Sequence, residues 1–248
     1  MKNYRVALVT GASSGIGTAT LSALAKQGYA IMAAGRDPAR TAALCDAHTG
    51  IATWTGDITT SAACNELVSA CIERFGQLNV LVNNAGIYGL GTAEGTSDEL
   101  WSSTLRVNLD APFYLSRAAM PQLRKTRGAI VNVASDWGLV GGRDAVAYCA
   151  SKGGIVLMTR AMALDHAAEG VRVNAVCPGD VETPMLYRAG EDAGLDGQAA
   201  LAACNGESPT GRVTTAEEVA ALIAFLASDD ARQITGAAIP IDGGNTAG

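Results

Sequence analysis

The feature that most constrains the fold is a regular alternation of short apolar stretches, rich in β-branched residues, with longer stretches of helical periodicity. The apolar stretches predict buried strands, and the 3.6-residue pattern predicts helices packed beside them. The predicted strands are 4–10, 29–35, 51–56, 79–86, 129–135, 171–179 and 237–244, and the predicted helices are 15–27, 38–47, 60–75, 97–124, 146–169 and 215–227. Strands joined by such helices form right-handed crossovers, so we expect an α/β fold with a parallel sheet covered on both faces.

No linker or repeat divides the 248 residues, so we predict a single domain of residues 1–248. One stretch, residues 183–211, differs in character, because it is rich in Ala and Gly and has only weak helical patterns between turn signals. It is too long for a simple connection in a compact domain. We interpret it as a substrate-binding lid or loop, with a disordered insertion as the alternative.

The composition disfavours several classes of partner. The formal net charge is −6, from 18 Lys and Arg against 24 Asp and Glu, without a basic block, so nucleic acid and anionic membranes are poor candidates. No apolar run is long enough for a signal peptide or a membrane-spanning helix, and we expect a cytoplasmic protein. The six cysteines, which include Cys45, form no C-x-x-C pair, and there are only two histidines. We therefore predict reduced, mostly buried thiols and no metal site.

The sequence TGASSGIG, residues 10–17, lies between the first predicted strand and the first predicted helix. Glycines there let the backbone turn sharply and approach a ligand, and a helix N-terminus offers unpaired N–H groups to a phosphate. The G-x-x-x-G-x-G spacing differs from the common G-x-G-x-x-G fingerprint. The pattern predicts a pyrophosphate site, with glycines that serve only a tight turn as the alternative.

The same residues allow a second interpretation, a serine hydrolase. Gly11 to Gly15 also match G-x-S-x-G, the nucleophile elbow of α/β-hydrolases, with Ser13 as the nucleophile. That enzyme needs an acid and then a histidine downstream, and only His48 and His166 are available. The elbow normally follows several strands, whereas this one follows the first, so the hydrolase is the less favoured alternative.

In the stretch AYCASK, residues 147–152, Tyr148 and Lys152 lie four residues apart. On a helix this spacing places both side chains on one face, with the ammonium close to the phenol. A surface tyrosine beside a lysine that extends into solvent would show the same spacing. The pair is therefore informative only in combination with other motifs.

Several motifs in a fixed order make the chain resemble the short-chain dehydrogenase/reductase family over nearly its whole length. They are TGASSGIG (10–17), NNAG (83–86), Ser135, YCASK (148–152), CPGDVETP (177–184) and IDGG (241–244). The resemblance implies a Rossmann-type, doubly wound sheet of seven parallel strands and hydride transfer between a nicotinamide cofactor and an alcohol or carbonyl group. It also implies a homo-oligomer, often a tetramer, that uses the helices 97–124 and 146–169 and the last strand.

Four residues match the family's catalytic set: Asn108, Ser135, Tyr148 and Lys152. The resemblance implies that Tyr148 is the acid in carbonyl reduction and the base in alcohol oxidation, and that Lys152 binds the nicotinamide ribose. A free tyrosine has a pKa of about 10, and a nearby ammonium lowers it by favouring the phenolate. Ser135 would donate to or orient the substrate oxygen. Asn108 would anchor a water that passes protons from Lys152 towards solvent.

The end of the second strand, AAGRDPAR, lies where such a fold binds the adenosine ribose. NAD-preferring relatives usually carry an acidic residue at the position of Gly35, and the glycine followed by Arg36 favours NADP, because a guanidinium binds a 2′-phosphate. NAD is the alternative, since Asp37 is adjacent and Ser14 stands where many NADP-using relatives carry Lys or Arg. The resemblance implies further cofactor contacts from Gly11, Ser13, Ser14, Gly15, Ile16, Gly17, Asp57, Ile58, Asn84, Ala85, Gly86, Tyr148, Lys152, Pro178, Gly179, Val181 and Thr183.

The motifs do not name the substrate. Candidate wall residues are Trp137, Val140, Arg143, Met185, Leu186 and Tyr187. This mixture suggests a small or medium-sized, partly apolar alcohol or ketone, and it leaves a sugar, a hydroxy acid and a thioester-linked oxoacyl group open. A non-catalytic protein that retains the dinucleotide-binding fold is a further alternative, which the intact catalytic set disfavours.

Overall fold

The computed structural model describes residues 4–47 and 50–248, with the backbone alone for 45–47, so the Cys45 thiol and His48 lie outside the described residues. The strands are β1 (Val6–Thr10), β2 (Ala30–Gly35), β3 (Ile51–Thr55), β4 (Val80–Asn83), β5 (Ala129–Val133), β6 (Arg172–Pro178), β7 (Val181–Glu182), β8 (Thr214–Thr215) and β9 (Ala238–Ile241). The α-helices are α1 (Gly15–Lys26), α2 (Pro38–Ala47), α3 (Ser61–Phe75), α4 (Asp98–Leu105), α5 (Ala111–Thr126), α6 (Val146–His166), α7 (Pro184–Asp192), α8 (Gly197–Glu207) and α9 (Ala216–Ala227). Within the described parts of the chain, no helix is long and apolar enough to cross a membrane.

Seven strands form one parallel sheet in the order β3-β2-β1-β4-β5-β6-β9. The predicted single-domain, Rossmann-type doubly wound fold is confirmed, and each of these strands lies within the stretch predicted for it. The order reverses between β1 and β4. In an open parallel sheet, ligands bind in the crevice beyond the carboxyl ends of the strands at this switch point.

The core has two layers, one on each face of the sheet. Along β1, Val6 and Leu8 pack in a cluster with α3 and α5, whereas Ala7 and Val9 pack in a second cluster with α1 and α9. Successive strand residues point to opposite faces, and all four of these side chains are fully buried. Because helices cover both faces, the strands are apolar throughout, and this explains the continuous apolar runs in the sequence.

A ladder of buried polar side chains crosses the centre of the sheet. Asn83 of β4 lies opposite Asn132 of β5, and its Nδ2 donates to Asn132 Oδ1 at 2.8 Å and to Ser116 Oγ of α5 at 3.2 Å. Asn132 Nδ2 in turn donates to Thr159 Oγ1 of α6 at 2.8 Å. Buried hydrogen bonds are costly to leave unmade, so the ladder holds α5 and α6 at defined positions on the sheet. Helix α6 carries two of the predicted catalytic residues.

The prediction of one continuous helix over 97–124 was wrong in detail. A π-helical segment, Arg106–Asp110, separates α4 from α5. Pro112 follows this segment, and since it has no N–H, it cannot bond the carbonyl of Asn108 four residues earlier. A wider turn is a usual accommodation at such a point, and helical periodicity alone does not reveal it.

The segment 183–211 is largely helical rather than a disordered insertion, since it contains α7 and α8. Leu186, Ala200 and Val213 form a small apolar cluster between these helices and the chain that follows them. The segment is anchored at its end by Arg212, whose guanidinium bonds both carboxylate oxygens of Glu218, at 2.6 and 2.9 Å. Residues 183–211 are therefore a largely helical segment at the carboxyl edge of the sheet.

Candidate active site

A large cavity of about 840 Å³ opens at the carboxyl edge of the sheet, above the switch point between β1 and β4. Its volume is in the range of sites that enclose a cofactor. Most of the predicted site residues line it: Gly11, Ser13, Ser14, Gly15, Ile16, Arg36, Asp57, Ile58, Asn84, Ala85, Gly86, Ser135, Trp137, Tyr148, Lys152, Pro178, Gly179, Val181, Thr183, Met185 and Leu186. The predicted residues that do not line it are Gly17, Asn108, Val140, Arg143 and Tyr187.

The turn after β1 has the conformation that its glycines predict. Gly11 and Gly15 have φ angles of +61° and +50°, and a Cβ on Gly17 would collide with the carbonyl oxygen of Gly11. A Cβ on Gly15 would lie 2.9 Å from Thr183 Cγ2, so the turn closely approaches the start of α7. Helix α1 has no acidic residue in its first turn, and the side chain of its N-cap, Ser14, makes no capping bond. The N–H groups at this helix end therefore fit a pyrophosphate.

Two side chains join the ends of β1 and β4 beneath this turn. The Thr10 hydroxyl oxygen accepts from the N–H groups of Asn84 and Ala85, both at 3.1 Å. Asn84 Nδ2 donates to the carbonyl oxygens of Thr10 at 2.9 Å and Gly11 at 3.2 Å. These bonds hold the ends of β1 and β4 together at the switch point. Thr10 was not predicted as a site residue, although its place immediately before the glycine turn was a usable signal.

The end of the cavity at which the adenosine ribose was predicted to bind, the adenosine end, lies at the end of β2. A Cβ on Gly35 would lie 2.5 Å from Thr41 Oγ1, so the strand end has no room for an acidic side chain without rearrangement. Arg36 and Arg40 both line the cavity here. Asp37 caps α2, because its Oδ1 accepts the N–H of Arg40 at 3.1 Å. Arg40 was not among the predicted site residues, although it lies only four residues after Arg36.

Asn108 lies just below the cavity, in the π-helical segment, and is buried. Its Oδ1 accepts the N–H of Ile87 at 2.8 Å, and its Nδ2 donates to the carbonyl of Ile87 at 2.9 Å and to Ser151 Oγ at 3.1 Å. A Cβ on Gly86 would lie 3.5 Å from Asn108 Oδ1 and 3.6 Å from Lys152 Nζ. The glycine thus leaves a space that the amide and the amine both border, suited to a bridging water.

Tyr148 lies in the first turn of α6 among aromatic rings. Its ring contacts Tyr88 edge-on, with centroids 5.2 Å apart, and Trp137 at 6.3 Å. Lys152 Nζ is 5.6 Å from the Tyr148 ring centroid and donates to the carbonyl of Val133 at 2.8 Å. Burial lowers the pKa of Lys152 to about 8. The predicted one-turn spacing of Tyr148 and Lys152 therefore places the amine beneath the phenol ring.

Ser135 lies at the end of β5 and caps the short turn that follows. Its Oγ accepts the N–H of Trp137 at 3.2 Å, and its hydroxyl donates to Asp136 Oδ1 at 2.8 Å. Burial raises the pKa of Tyr148, a side-chain hydrogen bond with Ser135 opposes the increase, and the Asp136 carboxylate adds to it. Asp136 was not predicted as a site residue, although an acid directly after the serine was visible in the sequence.

Comparison with known proteins shows the family to which the chain belongs. A family model described as enoyl-(acyl carrier protein) reductase matches residues 11–246, nearly the whole chain, and relatives about 250 residues long match from end to end. The chain belongs to the short-chain dehydrogenase/reductase family. As a member, it is an oxidoreductase, and its relatives are named as alcohol dehydrogenases and ketoreductases.

The individual relatives of this short-chain dehydrogenase/reductase act on different molecules. Meso-2,3-butanediol dehydrogenase of Serratia marcescens is 39% identical over 98% of this chain and 95% of its own. 2-(S)-hydroxypropyl-CoM dehydrogenase 3 of Xanthobacter autotrophicus is also 39% identical, over 100% and 98% of the two chains. A crystal structure of an actinorhodin polyketide ketoreductase variant with NADPH is 34% identical, has a TM-score of 0.94, and covers 99% of this chain and 98% of its own. The reaction class is common to them, and the substrate is not.

Family membership overturns the serine hydrolase interpretation, and the geometry agrees. His166 lies at the C-terminal end of α6, where its Nδ1 is 2.8 Å from Glu169 Oε2. The chain enters β6 a few residues later, so this histidine lies at the amino edge of the sheet. Ser13 lies at the carboxyl edge, on the turn after β1. The other histidine, His48, falls outside the described residues.

The cavity also contains groups that the sequence did not reveal. Tyr88, Asp180, Cys204 and Glu207 line it together with Asp136. Burial raises the pKa of Asp180, and the Asp136 and Glu207 carboxylates add to the increase. Burial and then Asp180 raise the pKa of Tyr88 to about 12. These groups come from separate loops and from α8, and no local pattern could have predicted that they meet.

Three of the predicted substrate residues do not reach the cavity. The Trp137 ring occupies the space beside Gly142, where a Cβ would collide with it, and Val140 and Arg143 lie on the exposed outer side of this turn. Tyr187 directs its hydroxyl to Glu182 Oε1 at 2.8 Å. The other candidates, Trp137, Met185 and Leu186, do line the cavity.

Proposed function

We propose that this short-chain dehydrogenase/reductase transfers hydride reversibly between NADP(H) and a small or medium-sized alcohol or ketone, with Tyr148 as the acid and base. The observation that carries the proposal is the convergence of Ser135, Tyr148 and Lys152 on one end of the cavity, with Asn108 bordering the same space over Gly86. The nicotinamide cofactor, when bound, supplies or accepts the hydride.

Each of the four side chains has a distinct part in carbonyl reduction. Tyr148 donates its phenolic proton to the oxygen on which negative charge develops, and Ser135 orients that oxygen. The Lys152 ammonium, below the ring, stabilises the phenolate that remains. Asn108 and Lys152 border the space through which the proton is replaced from solvent. Alcohol oxidation uses the same groups in reverse.

NADP is favoured over NAD by the side chains at the end of β2. Gly35 carries no carboxylate that would repel a 2′-phosphate, and the contact with Thr41 opposes an acidic residue there. Arg36 and Arg40 offer two guanidinium groups to that phosphate. Asp37, the alternative ligand for an NAD ribose, already caps α2. The similarity to a ketoreductase with NADPH supports the same choice.

The charges at the other end of the cavity favour a neutral or positively charged substrate. Asp136, Asp180 and Glu207 would repel a hydroxy acid, and two unit charges 4 Å apart interact by about 1–4 kcal/mol between bulk water and a protein surface. Meso-2,3-butanediol, the neutral diol in the name of one relative, is the first compound to test.

The guanidinium groups that line the same cavity are already engaged or lie elsewhere. Arg212 forms its paired bonds with Glu218. Arg188 lies on α7, which begins beside the phosphate turn, and its Nε donates to the carbonyl of Pro184 at 3.1 Å. Arg212 is thus paired with a carboxylate, whereas Arg188 borders the cavity from α7.

We also propose a homo-oligomer, expected to be a tetramer. Large apolar side chains are exposed on α5 and α6, with Phe113 43%, Leu157 65% and Leu164 83% accessible. An interface between subunits would cover these side chains and remove their apolar area from water. Sedimentation velocity measures the assembly state, and a monomer at micromolar concentration would reject this proposal.

The decisive experiment for the function is a panel of alcohols and ketones, assayed with NADP(H) and NAD(H) through the absorbance of the reduced nicotinamide. We expect turnover of neutral secondary alcohols and ketones, faster with NADP(H). Higher kcat/KM with NAD(H) across the panel would reject the roles of Arg36 and Arg40. Cofactor binding without turnover of any compound would favour a non-catalytic dinucleotide-binding protein.

A further inference from the structure

The turn after β1 has no cation of its own for the pyrophosphate that it is predicted to bind. Residues 10–17 contain no Lys or Arg, so the turn offers only the N–H groups at the start of α1 and the positive end of that helix. That end is equivalent to about half an elementary charge, and the formal net charge of the chain is −6. A cationic side chain from another part of the chain would therefore strengthen the site.

Five cationic side chains line the cavity: Arg36, Arg40, Lys152, Arg188 and Arg212. The first two lie at the end of β2, the lysine is buried and donates to a backbone carbonyl, and Arg212 is paired with a carboxylate. Arg188 is exposed, and among the described residues no carboxylate forms an ion pair with it. Of these five cations, Arg188 is the one that the function proposed above does not use.

Pro184, the first residue of α7, lies between Arg188 and the phosphate turn. A Cβ on Gly15 would lie 3.9 Å from Pro184 Cδ, so the proline ring lies beside the turn. The carbonyl oxygen of Pro184 accepts the Nε–H of Arg188 at 3.1 Å. Since side chains on a helix lean towards its N-terminus, this bond draws the guanidinium back along α7 towards the turn. Its two terminal nitrogens have no hydrogen-bond partner in the part of the chain that the structure describes.

We propose that Arg188 binds the pyrophosphate of the cofactor from α7 and complements the N–H groups at the start of α1. This proposal rests on the proposed function, in which a nicotinamide dinucleotide binds in the cavity. A guanidinium suits this role, because its planar N–H groups match two phosphate oxygens at once. The bound cofactor then joins α7 to α1 and stabilises the position of residues 183–211 at the carboxyl edge of the sheet.

This role differs from the one proposed for Arg36 and Arg40. The 2′-phosphate belongs to NADP(H) alone, whereas the pyrophosphate is common to NADP(H) and NAD(H). Arg188 therefore adds affinity for both cofactors without choosing between them. An Arg188 that bound an anionic substrate instead would leave the affinity for either cofactor unchanged.

The test uses two fragments of the cofactor that differ in the phosphates they carry. ADP has the 5′-diphosphate and no 2′-phosphate, and adenosine 2′-monophosphate has the reverse. Arg188→Gln removes the charge and keeps a polar side chain. By isothermal titration calorimetry, we expect this variant to bind ADP about tenfold more weakly, because a charge-assisted hydrogen bond is lost, and adenosine 2′-monophosphate less than about twofold more weakly. NADPH and NADH should lose affinity by equal factors.

Three further variants serve as controls. Arg36→Ala combined with Arg40→Ala should show the reverse pattern, with weaker binding of adenosine 2′-monophosphate and unchanged binding of ADP. Arg232→Gln removes an exposed arginine outside the cavity, so it controls for net charge and should leave both fragments unaffected. Arg188→Lys keeps the charge without the planar pair of donors, and its ADP affinity should lie between those of the wild type and Arg188→Gln.

Unchanged ADP binding in Arg188→Gln, or an equal loss for both fragments, would overturn the proposal. Unchanged ADP binding together with a raised KM for anionic substrates would assign Arg188 to the substrate instead. Arg188 is exposed and makes a single side-chain hydrogen bond, so the variants should fold, and Arg188→Lys decides the question by the same titrations if Arg188→Gln does not. The titrations require no turnover, so a wild-type protein that is inactive on the whole substrate panel would reject the proposed reaction without deciding the role of Arg188.

Discussion

The two ends of the cavity differ in how exposed their charged and polar side chains are and in how many hydrogen bonds hold them. At the adenosine end, Arg36 and Arg40 are exposed, and within the described residues no hydrogen bond or ion pair engages either guanidinium group. At the end with the predicted catalytic residues, Lys152 and Ser135 are only 5% and 7% exposed, and hydrogen bonds hold the amine and the hydroxyl. Binding a phosphate requires charge, which a mobile side chain supplies, whereas proton transfer requires fixed geometry.

The two ends also differ in the sign of their charge. The adenosine end has the guanidinium groups of Arg36 and Arg40, and the end with the predicted catalytic residues has the carboxylates of Asp136, Asp180 and Glu207. A cofactor with a 2′-phosphate and a neutral or cationic substrate would each meet the complementary charge. The predictions below perturb one end at a time and measure what happens at the other.

The largest expected effect comes from Tyr148→Phe, which removes the proton donor and keeps the ring. We expect kcat to fall about 10³-fold, within the range for loss of a general acid, while the NADPH dissociation constant, measured by fluorescence, changes less than about twofold. Tyr88→Phe is the matched control, since that ring contacts Tyr148 without a proposed role in proton transfer, and its kcat should fall much less. Turnover of Tyr148→Phe near the wild-type rate would remove Tyr148 from the mechanism.

The second effect is a difference in pH dependence between the two ends. Because burial and Asp136 raise the pKa of Tyr148, the phenolate is a minor form at neutral pH, and its fraction increases about tenfold per pH unit below that pKa. Alcohol oxidation should therefore gain up to about 10²-fold in kcat/KM between pH 7 and pH 9, while carbonyl reduction, which uses the protonated form, changes little. NADPH affinity should stay nearly constant, since arginines and a phosphate whose second pKa is about 6 keep their charges there. A flat oxidation profile contradicts the raised pKa.

The third prediction perturbs the adenosine end alone. Arg36→Ala combined with Arg40→Ala should weaken NADPH binding about 10–100-fold, because hydrogen bonds to charged groups contribute about 1.5–3 kcal/mol. NADH binding should change by less than about threefold, and kcat at saturating cofactor should remain. Arg74→Ala on α3, outside the cavity, controls for the loss of positive charge. Equal loss of NADPH and NADH affinity would exclude a 2′-phosphate site.

The smallest effect concerns substrate charge. We expect kcat/KM to decrease in the order trans-4-aminocyclohexanol, cyclohexane-1,4-diol, trans-4-hydroxycyclohexanecarboxylate, with about tenfold between the cation and the anion, equivalent to a charge interaction of about 1.4 kcal/mol. Asp180→Asn should reduce this difference severalfold, and Asp165→Asn, which removes an exposed carboxylate of α6 outside the cavity, should not. If the carboxylate is the best of the three, the proposal of a neutral or cationic substrate is wrong.

The fold was largely predictable because its signals are local. Each strand of the sheet is a short apolar run. The turn after β1 is recognisable from its glycines, whose φ angles only glycine adopts easily. The Tyr148 and Lys152 spacing likewise depends only on helix geometry. The π-helical segment at Asn108 was missed because it changes the hydrogen bonding of a helix without changing its apolar pattern.

The reaction class followed from residue identity and order along the chain, since the family's motifs are short and each lies at one end of a strand or in one helical turn. The catalytic roles of Asn108, Ser135, Tyr148 and Lys152 stay predictions. What surrounds them was decided by tertiary structure alone. Asp136 is adjacent to Ser135 in sequence, yet only the fold brings Asn245 onto it from the C-terminal tail, and only the packing of α8 brings Glu207 and Cys204 towards Asp180. Packing also decides whether Arg143 faces the cavity or the solvent, because the Trp137 ring lies against Gly142. The charge around a site and the burial of its side chains depend on residues that are distant in the chain. A local sequence pattern therefore cannot predict them.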